Sequence, residues 1–364
     1  MENLRIPGPT PCPHEVLQAM TKQMINHRGA EFSAMLNGVT ADLKTLFQTK
    51  NDLLCLTGSG TGGMEAAIVN MLSPGDKVLS VSCGVFGDRF ADIARTFGAD
   101  VTSLKFEQGK DCDPDAVKKA LQKDAGIKAV LLTHNETSTG VTNNLAALAK
   151  VVKEADKLLI VDAISSMGSI DCQVDKWNLD VAISGSQKGW MAPPGLTMIS
   201  VSETAWKAHT ASKMPKFYWD FSRAKKYLEK GQTPWTPAIT VVYAMNVSLK
   251  MMLKEGMQNI FARHAKLGDM TRKGVKAMGL KLVVADEKYA SNTVTAVWPP
   301  ANVNPDNLRK TMRDKYEVVL TGGQGTLEGK IFRFGHLGMC DEAAIKDALD
   351  ALRKSLPEHG YSPK

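Results

Sequence analysis

Cysteines at metal-binding or redox spacing are what this chain of 364 residues most conspicuously lacks. Its six cysteines, Cys12, Cys55, Cys83, Cys112, Cys172 and Cys340, are scattered, and no two form a CxxC pair. Neither a zinc site nor a dithiol redox motif is indicated, so no metal is expected. Such scatter fits reduced thiols, with cytoplasm as the default compartment, better than a disulfide framework. Long apolar runs are missing too, as is a charged-then-apolar start, which argues against a membrane protein. Blocks of like charge are absent. The formal net charge is +7, with lysines spread along the chain, and the densest basic spot, Arg223 to Lys226, suits a solvated helix face. That balance favours small anionic substrates and gives no nucleic-acid footprint. There are no repeats and no low-complexity tracts. With 43% hydrophobic and 23% charged residues, the chain is a globular protein with a sizeable core.

What is present is alternation. Short runs at Leu53–Leu56, Val78–Ser82, Asp100–Leu104, Ala129–Thr133, Leu158–Asp162, Leu179–Ile183 and Leu196–Val201 read as strands. Helical stretches separate most of them, among them 64–72, 85–97, 113–123 (Asp113 capping, Pro114 in the first turn) and 144–155. Earlier, 14–26 reads as a helix, 29–39 as irregular, and 43–47 as helical again. Repeated β/α units imply an α/β fold with a mostly parallel, seven-stranded sheet covered by helices on both faces. After two long helices, 238–254 and 259–278, the pattern changes to a smaller α+β arrangement, including a strand at 281–285. The expected division is an extended segment at 1–17, a large domain at 18–257 and a small domain at 258–364.

Ligands in such sheets sit off the carboxyl ends of the strands. The first candidate strand runs into Thr57-Gly-Ser-Gly-Thr-Gly-Gly63 and then a helix, an arrangement that presents free N–H groups to an anion. Gly58, Gly60 and Gly63 match GxGxxG, but the next strand ends in Cys83-Gly84 without the carboxylate a dinucleotide site wants. A single phosphate suits the loop better. Asp162 ends an apolar strand, where a carboxylate needs a cationic or hydrogen-bonded partner. Helix capping and pairing with a pyridinium nitrogen both satisfy that need. The polar run Thr133 to Gly140 could direct a hydroxyl at a ring or cap the helix that follows. Phe86 could stack on a ring or pack in the core. Lys188 lies in Ser184-Gly-Ser-Gln-Lys188, between an apolar strand and the rigid turn Pro193-Pro-Gly195. A lysine held against apolar walls loses hydration and becomes a nucleophile for an aldehyde, as a pyridoxal-phosphate (PLP) Schiff base requires.

These segments, with Gly8-Pro-Thr10, Gly84-Val-Phe86-Gly-Asp-Arg89, Val161-Asp162-Ala-Ile-Ser-Ser166 and Phe332-Arg333-Phe-Gly-His-Leu-Gly338, run in order along nearly the whole chain. Together they resemble the class V, fold-type I PLP aminotransferases, and within them the alanine/serine–glyoxylate (serine–pyruvate) group. The resemblance implies that Lys188 is the Schiff-base lysine and proton shuttle, and that Asp162 pairs with the pyridine nitrogen. Ser59, Gly60 and Thr61, with Gln187, would hold the phosphate, Thr137 would contact the phenolic oxygen, and Phe86 would stack on the ring. Arg333 would clamp the substrate carboxylate, with Gly8 beside the substrate. Thr236 would reach the phosphate of a partner subunit, which implies a homodimer with shared sites. The implied substrates are small amino acids and keto acids, and the donor stays open between alanine, serine and aspartate. Two other chemistries remain for comparison: cysteine desulfuration, for which Cys340 is the candidate, and a nucleotide-binding module on the glycine loop.

Overall fold

The computed structural model describes residues 2–363. The chain opens with β1 (Asn3–Leu4) and a short helix α1 (His14–Ala19), followed by α2 (Ala30–Phe47). Here the structure departs from the sequence reading, because α1 stops at Ala19 and the stretch expected to be irregular is helix. Phe32, Leu36, Val39, Leu43 and Leu46 recur at three- and four-residue spacing and are all buried. That stripe overrides the weak helix propensity of Gly38, which faces open space. Residues 20–28 carry no such stripe, and the Thr21 hydroxyl donates to the Gln18 carbonyl at the end of α1.

A repeating unit follows: β2 (Asp52–Gly58), α3 (Gly60–Met71), β3 (Lys77–Ser82), α4 (Val85–Thr96), β4 (Asp100–Lys105), α5 (Pro114–Lys123) and β5 (Ala129–Thr133). After a small hairpin of β6 (Asn135–Glu136) and β7 (Val141–Thr142) come α6 (Leu145–Glu154), β8 (Leu158–Asp162), β9 (Val181–Gly185) and β10 (Gly195–Val201). Seven of these strands form one sheet in the order β2-β10-β9-β8-β5-β3-β4. Only β10 runs against the rest. The short connection from Gly185 to Gly195 is a turn and leaves no room for a crossover helix, so an antiparallel return is required. In β5, β8 and β9 every residue is buried. Alternate positions serve two cores: Leu159 and Val161 pack on one face, Leu158 and Ile160 on the other.

The chain continues through α7 (Glu203–Ala211), α8 (Phe221–Leu228), α9 (Ile239–Glu255), α10 (Met257–Ala277), β11 (Lys281–Leu282), β12 (Val294–Trp298), α11 (Pro305–Tyr316), β13 (Val318–Val319), β14 (Thr321–Gly322), β15 (Phe332–Gly335) and α12 (Glu342–Ser355). The strand expected to reach residue 285 ends at Leu282. A four-stranded antiparallel sheet, β11-β12-β15-β14, packs with helices around Phe332, Phe334, Leu308 and Leu352. The N-terminal segment links the two sheets. β1 pairs with β13, Gly335 N–H donates to the Arg5 carbonyl at 2.8 Å, and Thr10 N–H donates to the Gln187 carbonyl at 3.1 Å.

Candidate active site

Lys188 sits in a turn braced from several sides. Ser186 Oγ donates to the Pro193 carbonyl at 2.7 Å and accepts the Leu196 N–H at 3.2 Å. The fully buried Trp190 donates to Ser184 Oγ at 2.8 Å and stacks on Phe47 at 5.5 Å. Thr10 Oγ1 donates to the Lys188 carbonyl at 3.0 Å. The ammonium itself donates to the Pro7 carbonyl at 2.6 Å. Gly8 lies against this side chain: a Cβ there would come within 2.7 Å of Lys188 Cδ and Nζ, at a φ of +127° that disfavours side chains. Burial pulls the amine down to about 8, Asp162 opposes that pull, and Arg333 and Arg89 add to it.

Asp162 ends β8 in register with Thr133 of β5 and Ile183 of β9. It is buried, and its Oδ1 accepts the Ile164 N–H at 2.9 Å. Burial pushes the carboxyl up to about 7; Glu136 adds to the rise, while the Ile164 N–H, Lys188 and Arg89 oppose it. Among the described residues no cation comes within ion-pair distance of it. A desolvated carboxylate with spare lone pairs is thus left facing a cavity.

The same cavity is lined by Gly60, Thr61, Phe86, Thr137, Asp162, Gln187 and Lys188, which the structure brings together from the ends of separate strands. Helix α3 begins at Gly60, not at Met64 as the sequence suggested. Its glycines are there for close packing: a Cβ on Gly60 would fall 2.5 Å from Ile164, and one on Gly63 would fall 2.2 Å from Thr197 Oγ1. Ser59 is the N-cap but makes no side-chain capping bond, so the first N–H groups of α3 stay open toward the cavity. Gln187 Oε1 is buried without a hydrogen-bond partner. Thr236 is exposed and does not line this cavity.

Arg333, on β15, is 3% exposed. Its Nε donates to the Gly322 carbonyl at 2.8 Å, and Nη1 donates to the Thr137 carbonyl at 2.8 Å and Gln324 Oε1 at 3.2 Å. Burial lowers its pKa to about 10, which leaves it charged at neutral pH. Among the described residues Nη2 takes no acceptor.

Sequence reasoning missed two groups. Arg89 lines the cavity, lies 4.7 Å from the Phe86 ring centroid and donates to Thr61 Oγ1 at 3.3 Å. Glu136 is fully buried. Glu136 stands inside the polar run that follows β5, which is the signal that could have found it; Arg89, in the second turn of α4, carries no such signal. The polar run 133–140 does cap a helix, but it caps the preceding α4 through Glu136 and Ser138; α6 is capped by its own Asn144, whose side chain accepts the Ala147 N–H.

The profile of one family, Aminotransferase class-V, matches residues 3–340. The chain belongs to the class V aminotransferase family. It is 45% identical over 361 residues to the soluble hydrogenase 42 kDa subunit of Anabaena cylindrica, covering 98% of this chain and 94% of that protein. It is 37% identical over 368 residues to the serine–glyoxylate aminotransferase of Methylorubrum extorquens, covering 98% and 92%. Among solved structures it superposes on the alanine–glyoxylate aminotransferase of Nostoc sp. with a TM-score of 0.94 at 30% identity, covering 98% of this chain and 95% of that one. This aminotransferase uses PLP, and the residues present fit that cofactor. Asp162 offers a carboxylate without a cation, the start of α3 offers N–H groups without acceptors, and Lys188 offers an amine of lowered pKa.

Proposed function

We propose that this aminotransferase moves the amino group of a small L-amino acid, alanine or serine, to glyoxylate or pyruvate. The observation that carries the reading is the single cavity shared by Lys188, Asp162 and the open start of α3. PLP, when bound, supplies a ring that accepts the electron pair left by removal of the donor's α-proton. Lys188 Nζ takes that proton and returns it, a task its lowered pKa suits near neutral pH. Asp162 holds a proton on the ring nitrogen by staying ionised beside it. Gly60, Thr61 and Gln187, with Ser59, hold the phosphate, Thr137 meets the phenolic oxygen, and Phe86 covers one ring face. Arg333 Nη2 takes the substrate carboxylate, and Gly8 keeps the path to Lys188 clear.

The exposed Thr236 supports a homodimer in which it reaches the partner's phosphate, and the change of sheet type after α10 supports separating 258–364 from 18–257, while the expected end of the segment 1–17 falls inside α1. Six free thiols support a reducing cytoplasm. Among the described residues no helix is long and apolar enough to cross a membrane. The Anabaena relative's name speaks of a hydrogenase subunit, but the described residues here offer no group of three or more His, Cys, Asp or Glu that could hold a metal ion. Cysteine desulfuration is disfavoured, since Cys340 is buried and burial raises its thiol pKa, opposite to what a nucleophile needs.

Aspartate is the second reading for the donor. Arg89 lines the cavity with no carboxylate partner among the described residues, so it could receive a second acidic group. The test is a donor panel of alanine, serine and aspartate against glyoxylate and pyruvate. Turnover of alanine or serine above aspartate is expected. Turnover of aspartate alone transfers the assignment to the second reading, and no keto-acid product from any pair sinks both.

A further inference from the structure

Glu136 stands behind the cavity wall, yet both its carboxylate oxygens are engaged by the residues that build that wall. Its Oε2 accepts the backbone N–H groups of Phe86 at 3.0 Å and Gly87 at 3.1 Å. Its Oε1 accepts the Ser138 N–H at 3.1 Å and the Ser138 hydroxyl at 2.5 Å. Ser138 Oγ in turn accepts the Val85 N–H at 3.0 Å. The opening N–H groups of α4 are therefore capped by side chains about fifty residues downstream, at the helix end where a negative group is favoured. Space for this is made by Gly84, where a Cβ would fall 2.5 Å from Glu136 Cδ and 2.4 Å from Ser138 Oγ. Burial raises the Glu136 carboxyl, and the four donors around it pull it back toward the ionised form. All four groups, from Phe86, Gly87 and Ser138, donate, which a protonated acid could not fully accept.

The two ends of this network meet different parts of the site. Phe86, the second residue of α4, presents its ring to the cavity. Thr137, next in the chain after Glu136, lends its carbonyl to Arg333 Nη1. We infer that Glu136 is a positioning residue that seats Phe86 against the cofactor ring. The inference rests on the reading of Phe86 as the ring-facing wall.

Glu136→Gln keeps the shape but turns an NH₂ toward the Ser138 donors or toward the α4 N–H groups. The cofactor-free protein is titrated with PLP and followed by absorbance, for wild type, Glu136→Gln, Phe86→Ala and the double variant. Each single change is expected to weaken PLP binding about tenfold, as loss of a charge-assisted hydrogen bond or a stacked ring does. The double variant should bind no more weakly than the weaker single, because Glu136 acts through Phe86. A purely structural role would instead leave the two losses additive, near a hundredfold together. Additivity, or a Glu136→Gln protein that binds like wild type, overturns the inference. If Glu136→Gln does not fold, Ser138→Ala takes its place in the cycle with the same direction expected. A wild type that takes up no PLP overturns the site reading itself, a result distinct from an unchanged variant.

Discussion

Two regions of this protein bury titratable groups, and they do so to opposite ends. At the edge of the large sheet, Asp162 keeps one backbone hydrogen bond and faces a cavity, with its carboxyl pushed up to about 7. Beside the small sheet, burial drives His264 and His336 down to about 3. Yet both rings are saturated. His264 Nδ1 meets the Ile260 carbonyl at 2.7 Å and its Nε2 accepts the Gly338 N–H at 3.0 Å. His336 bridges the Asn292 carbonyl at 3.0 Å and Thr295 Oγ1 at 2.9 Å. A perturbed pKa alone therefore does not mark a reactive site. What sets Asp162 apart is unfilled hydrogen-bonding capacity beside a cavity.

The comparison breaks first at Lys188. Lys188→Ala should lower turnover by at least about 10⁴-fold, the upper end for a positioned proton-transfer group; transaminase rates near wild type would remove Lys188 from the chemistry. Arg333→Gln should raise the KM for the amino donor by about 10²-fold with kcat less affected, since it removes a charge-assisted contact. A KM that does not move would place Arg333 among the structural groups, like the histidines.

Asp162 should behave in opposite ways toward activity and stability. Its folded pKa lies above the usual carboxylate value, so the cofactor-free protein is penalised as pH rises through about 7 and relieved near pH 4. Asp162→Asn should stabilise the cofactor-free protein by about 2–4 kcal/mol at pH 8, read as a higher unfolding midpoint, with the gain shrinking as pH falls. Activity should fall at the same time. The histidines carry the reverse dependence. Their folded pKa values lie below the unfolded value, so the stability they give is full above about pH 6.5 and is lost as pH falls toward 3. His264→Gln should reduce the slope of unfolding free energy with pH near pH 5 by about 1.4 kcal/mol per unit, one proton's worth. An unchanged slope would show that His264 titrates normally. The smallest effect is expected at Thr236, where loss of one neutral hydroxyl contact should weaken PLP binding about fivefold. No change in a protein shown by sedimentation to be dimeric would remove Thr236 from the phosphate.

Much of this was legible along the chain, because local patterns carry it. Continuous apolar runs announced β5, β8 and β9, since strands buried on both faces have no polar side. Asp162 and Lys188 stood out because each follows such a run at a strand end. Other features depended on partners far away in sequence. Helix α2 was hidden by Gly38 until its stripe found a core, and α3 starts four residues early because its glycines fit under Ile164 and Thr197. Arg89 and Glu136 were visible as residues but not as participants. Their roles come from contacts with Phe86, Thr61 and the start of α4.

Hydropathy period and residue type at a turn, then, were enough to announce the sheet and to single out the polar and glycine-rich residues at its strand ends, because both are local properties of the chain. Only the tertiary structure decided which buried groups remain unsatisfied. That follows from desolvation and hydrogen bonding, which are properties of neighbours brought together from separate strands and helices, as Glu136 is with Phe86 and Arg333 with Thr137.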